Sequence, residues 1–172
     1  SGLPVDTGIK ATSSDAHLIA TDADVALYMP QYVDWDAVCA LLASGKNIIT
    51  TRGEFLYPGM MEPAMRARVE EACRKGNVSI YSTGSSPGFI TEALPMPLLS
   101  LARRLDLMTI DEFADVSSRN SPEMIFDIMG FGQPLAPFDQ RRAEHLKIDF
   151  GTSLSQTAEA VGLKLDDITA VG

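Results

Sequence analysis

The chain has 172 residues, 45% of them hydrophobic, and a formal net charge of −9. That is enough for one ordinary domain or parts of two, with a real core. An acidic chain repels phosphate backbones, so nucleic acid is not an expected partner. No apolar run reaches the ~18 residues of a membrane span. Ser1-Gly2-Leu3-Pro4 lacks the basic and apolar regions of a signal peptide, so a cytoplasmic protein without membrane attachment is expected.

The stretch through Thr21 is polar and mixed, and reads as the end of an element followed by a connection. Asp24 to Tyr28 is a short apolar run, the pattern of a buried strand, and Pro30 stops it. Asp34 predicts a cap for a helix through Leu42, with Val38, Leu41 and Leu42 on one face and Gly45 as its left-handed end. Asn47 to Thr51 is a second buried strand, ending at Arg52-Gly53. Pro63 suits the first turn of a helix that runs to Lys75 and stops at Gly76. Val78 to Tyr81 is a third strand, leading into the turn-rich loop Thr83-Gly84-Ser85-Ser86-Pro87-Gly88. A third helix reaches about Arg104, kinked or delayed in its start by Pro95 and Pro97. Short apolar strands alternating with helices predict an α/β fold, with a parallel sheet, covered faces and right-handed crossovers.

The pattern then changes. Leu107 to Val116 alternates two sets of residues, which predicts a longer strand with one wetter face. Ser121 followed by Pro122 predicts a short helix ending near Gly130, and Pro134 to Phe138 reads as a linker. Ser153 to Val161 is a further helix stopped by Gly162. The sequence ends within the strand-like run Ile168 to Val171, which suggests a truncated chain.

In a parallel α/β sheet, ligands bind at the carboxyl ends of the strands. Three such ends are legible: Tyr28-Met29-Pro30, Thr50-Thr51-Arg52-Gly53-Glu54, and the loop from Thr83 to Gly88. Their hydroxyls and glycines let a backbone approach a cofactor closely, although ordinary turns share this composition. Glu54 is the acidic residue best placed for chemistry, either to hold an ammonium ion or to move a proton to or from an amine, although a solvated loop glutamate reads the same way. Arg52 is suited to pairing with a phosphate or with Glu54, and Tyr57 to walling a pocket or packing. The G-x-G-x-x-G fingerprint of dinucleotide sites is absent, so the chain carries no complete pyrophosphate site. Cys39 and Cys73 fall in helical patterns and read as reduced core residues. His17 and His145 have no partner nearby in sequence, and no metal site is expected.

The run from Asp24 to Leu94 resembles the latter part of the cofactor domain of dihydrodipicolinate reductase. The likeness rests on the strand Asp24–Tyr28, on Thr50-Thr51 before Gly53, and on Ser85-Ser86-Pro87-Gly88-Phe89. Relatives of that enzyme that handle amines, 2,4-diaminopentanoate dehydrogenase and the NAD(P)-dependent amine dehydrogenases, match more closely. Thr50-Thr51-Arg52-Gly53-Glu54-Phe55-Leu56-Tyr57-Pro58 is similar to their threonine-threonine, glutamate, tyrosine-proline segment, and Ser121 to Gly132 also looks like theirs. Dihydrodipicolinate reductases carry a His-His pair and a Lys where this chain reads Phe113 to Arg119, so tetrahydrodipicolinate is not an expected product.

The resemblance implies a fold and a division of the chain. Residues 1–105 would be the latter part of a Rossmann-type dinucleotide-binding domain, and residues 106–172 the start of an α+β substrate and dimerisation domain. Further segments would lie before Ser1 and beyond Gly172. It implies an NADP- or NAD-dependent oxidoreductase, a homodimer, that interconverts an amine with a ketone plus ammonia. Glu54 would engage the amine, while Met29, Pro30, Thr50, Thr51, Arg52, Gly84 and Ser85 would contact the cofactor. The residues that choose between NADP and NAD would lie upstream of Ser1. A non-catalytic dinucleotide-binding or dimerisation module, or an inactive fragment of such an enzyme, is the alternative.

Overall fold

A three-stranded parallel sheet, in the order β1-β2-β3, organises the first half of the chain. Its strands are β1 (Val25–Tyr28), β2 (Asn47–Thr50) and β3 (Ile80–Ser82). The computed structural model describes residues 7–135 and 137–171, so the opening Ser1-Gly2-Leu3-Pro4 lies outside the described residues. By its contacts the chain falls into two units, Ser1–Phe89 and Ile90–Gly172.

In the first unit, helix α1 (Asp15–Ala20) precedes β1. Helix α2 (Trp35–Ala43) links β1 to β2, and helix α3 (Pro63–Gly76) links β2 to β3. The Asp34 carboxylate accepts from the backbone N–H groups of Asp36 and Ala37, the cap expected of it, and Gly45 follows α2 at φ +91°. Both crossover helices pack on the same face of the sheet. Val38 and Leu42 of α2, Val69 and Ala72 of α3, Ile48 of β2 and Phe55 form one buried cluster, with Ala26, Tyr28 and Ile80 against it. Two successive crossovers of one hand, advancing in one direction across the sheet, place their helices together. The register explains which strand residues meet them: Ala26, Ile48 and Ile80 are side by side, as are Leu27, Ile49 and Tyr81 on the opposite face.

The end of α3 departs from expectation. Gly76 is the last helical residue, and Asn77, at φ 53°, takes the left-handed position. Gly76 serves packing, since a Cβ there would lie 1.9 Å from the carbonyl oxygen of Leu42. The N-terminal stretch forms the short helix α1, and Ser14 caps it through the backbone N–H of His17.

The second unit is built around helix α5 (Gln140–Ala160), which begins well before the expected Ser153. Gly162, at φ +73°, follows its end. A π turn, Phe89–Ala93, precedes helix α4 (Pro95–Leu101), so Pro95 marks a delayed helix start rather than a kink. The Thr157 hydroxyl donates to the Thr91 carbonyl at 3.2 Å and ties α5 to residues of the π turn that belong to this unit. Gly151 faces Ile168, so Ile168 lies against α5. The helix expected after Ser121 is a π turn, Glu123–Ile128.

Residues 107–116 form no strand. Alternation alone does not make a strand, which needs a neighbour to take its backbone hydrogen bonds, and Leu107 and Phe113 are exposed. The run from Ile168 to Val171 is likewise not a strand. Among the described residues, no helix is long and apolar enough to cross a membrane.

Candidate functional site

The carboxyl ends of β1, β2 and β3 come together in the first unit, and the chain after β2 holds the three ends in place. The Arg52 backbone N–H donates to the Thr50 hydroxyl at 3.1 Å, and its carbonyl accepts from the Ser82 hydroxyl at 2.7 Å. The Thr83 N–H donates to the Thr50 carbonyl at 2.9 Å, which extends the β2–β3 pairing by one step. The expected threonine pair therefore divides. Thr50 is fully buried on the helix-covered side and shapes the turn, whereas Thr51 is exposed. The Thr51 hydroxyl lies 3.5 Å from the sulfur of Met29, which is itself exposed, and Pro30 is half-buried beside it in the chain.

Glu54 sits in a single 3-10 turn, Gly53–Phe55. Phe55 anchors that turn in the core against Trp35, with ring centroids 5.2 Å apart. The Arg52 guanidinium meets the Glu54 carboxylate at two points, Nε to Oε2 at 3.1 Å and Nη2 to Oε1 at 2.5 Å. Its Nη1 donates to the Gln31 carbonyl at 2.7 Å, on the loop after β1. Of the two pairings open to Arg52, the structure shows the one with Glu54. The two side chains are 29% and 31% exposed, so water screens the pair and its contribution to stability is on the order of 1 kcal/mol or less.

The third loop is tight. The Phe89 N–H donates to the Gly84 carbonyl at 2.8 Å, Ser85 bridges to Gly88, and the Ser86–Pro87 bond is cis. A Cβ on Gly84 would lie 2.5 Å from the Pro87 carbonyl oxygen. One on Gly88, at φ +131°, would lie 2.2 Å from the Gly84 nitrogen, so both positions require glycine. Ser85 is exposed at the tip. Tyr57 is half-buried, and its ring occupies the space where a Cβ on Gly59 would go.

A groove of about 580 Å³ runs along β1 beside α1 and α2, lined by Leu18, Val25, Leu27, Ala37 and Leu41 among others. None of the expected site residues lines it. Lys46 does, and it is buried: its ammonium donates to the Ile19 carbonyl at 2.7 Å near the end of α1, a contact that composition did not signal. Nor did the sequence single out Gln31, which takes part through its main-chain oxygen, or the Tyr28 hydroxyl, which accepts from the Asp34 N–H at 2.8 Å.

Cys39 and Cys73 are half-buried free thiols, and burial pushes both above the usual thiol range. They remain protonated near neutral pH and behave as core residues. His17 lies on exposed α1, and the side chain of His145 lies outside the described set. Among the described residues, no group of three or more His, Cys, Asp or Glu is arranged to hold a metal ion.

No family model matches the chain. Over 107 residues it is 27% identical to an amine dehydrogenase of Streptomyces virginiae, a match that takes in 62% of this chain and 30% of that protein. The chain thus spans less than a third of the relative's length, and what it carries is a distant likeness to an amine dehydrogenase.

Proposed function

We propose that the chain is the latter part of a Rossmann-type cofactor domain, followed by the start of a substrate and dimerisation domain, in an NAD(P)-dependent oxidoreductase acting on C–N bonds. It would reversibly interconvert an amine with a ketone plus ammonia. The observation that carries this reading is a carboxylate, Glu54, fixed at the carboxyl edge of a parallel sheet where such folds bind ligands. The distant amine dehydrogenase relative supports the same reaction class.

The residues present suit the nicotinamide half of the cofactor. Gly84 and Gly88 hold a turn that side chains would fill, and Thr51, Met29 and Ser85 stand exposed around the strand ends. The buried Thr50 shapes the turn that leads to Glu54, and Pro30 follows Met29 at the end of β1. When bound, the nicotinamide supplies or takes the hydride. The protein's part is to orient the reacting groups and handle charge. Glu54 binds the ammonium or amine nitrogen and takes or returns its proton. A homodimer is part of this reading.

Replacing Glu54 by Gln in the full-length protein tests it. General acid–base groups contribute about 10²- to 10⁴-fold, so NAD(P)H-dependent amination of a ketone is expected to fall by that order with the cofactor KM unchanged. Undiminished turnover in the variant would remove Glu54 from the chemistry.

A further inference from the structure

We infer that Arg52 is a positioning residue for Glu54 and not a ligand of the cofactor's phosphates. The inference rests on the reading of Glu54 given above and adds what keeps that carboxylate in place.

The geometry is a clamp across all three strand ends. The main chain of Arg52 is held on both sides, by the Thr50 hydroxyl on its N–H and by the Ser82 hydroxyl on its carbonyl. Its guanidinium reaches back to the loop after β1 through the Gln31 carbonyl at 2.7 Å. Two further nitrogens grip the Glu54 carboxylate. A guanidinium is a planar fork, and a two-point contact fixes both the position and the plane of the carboxylate it holds.

An ionised carboxylate has about four lone-pair sites. The fork takes two and leaves the remainder to accept from an ammonium or amine. Glu54 and Arg52 are each partly exposed, so that remaining side is within reach of solvent. A phosphate would have to displace both the Glu54 carboxylate and the Gln31 carbonyl to capture this guanidinium. The arrangement therefore favours orientation of the acid over anion binding.

Steady-state kinetics of the full-length protein, with NAD(P)H, a ketone and ammonia each varied in turn, test the assignment. Arg52→Met is expected to lower kcat and raise the ammonia KM, with kcat/KM for ammonia falling on the order of 10²-fold, the size of effect that about 1 Å of misplacement produces. The cofactor KM should stay unchanged. Arg52→Lys, which keeps the charge but loses the fork, should recover only part of that loss. In a Glu54→Gln background, Arg52→Met should add little, because residues that act through one another do not add.

A raised cofactor KM with kcat and the ammonia KM intact would assign Arg52 to the phosphates and overturn the inference. So would a full additional loss in the Glu54→Gln background, which would indicate a general structural role. If Glu54→Gln alone abolishes turnover while Arg52→Met behaves as the parent, this inference falls and the proposed function stands. If Glu54→Gln is fully active, the proposed function falls and takes this inference with it.

Discussion

The two faces of the three-stranded sheet are built from the same short apolar strands and meet opposite fates. On one face, Ile48 is 1% exposed beneath α2 and α3. On the other, Leu27 is 71% exposed and Tyr81 is 62% exposed. Strand sequence does not separate them, because Leu27 and Ile48 are equally hydrophobic. What separates them is the direction of the crossovers, which brings both helices to one side. An apolar run in a strand therefore reports the potential for burial, and the connections decide where that potential is used.

Three substitutions probe this contrast in urea unfolding, with the fluorescence of Trp35, the single tryptophan of the chain, as a reporter in the covered layer. Leu42→Ala removes a fully buried side chain between α2 and the sheet. It should cost about 2–5 kcal/mol, the range for large-to-small changes in a close-packed core. A loss under about 1 kcal/mol would mean that the covered face is not packed as described. Asp34→Ala deletes the cap that starts α2 and should cost about 1 kcal/mol. A neutral result would show that sheet packing alone holds the start of the helix. Leu27→Ser on the open face should change stability by no more than about 0.5 kcal/mol. A loss as large as that of Leu42→Ala would mean that this face is covered in the protein as it exists, and would erase the contrast.

The covered layer was largely legible from the sequence, for definite reasons. The runs Asp24–Tyr28 and Asn47–Thr51 are bounded by breakers, and a strand paired on both sides, as β2 is, leaves a continuous apolar signature. Asp34 announces α2 because a cap is a local interaction. The second unit was harder to read. Its helix α5 buries small and hydroxyl residues, among them Ala143, Thr152, Ser153, Thr157 and Ala158, and such a face carries no strong hydrophobic period. Leu107 to Val116 misled in the opposite sense, because its alternation had no strand to pair with.

The candidate site was half legible. The strand ends announced Thr51, Glu54 and the Gly84 turn. They did not reveal that Thr50 faces inward, because two adjacent strand residues look alike in sequence and point to opposite faces. The pairing of Arg52 with Glu54 remained one of two options until the 3-10 turn at Gly53–Phe55 brought both side chains to one side. Gln31 left no trace at all, since any residue supplies a carbonyl.

The contact of Gly76 with the Leu42 carbonyl has a mechanical consequence. It lies near the last turns of α2 and α3, at the end of the strands away from Met29, Thr51 and Glu54. Backbone meets backbone there with no side-chain layer to yield, so the two helices are pinned at their far ends. The loops that feed their first turns are two of the three that carry the candidate site. The spacing of the two helices at the base of the sheet is therefore set by main chain and not by side-chain volume.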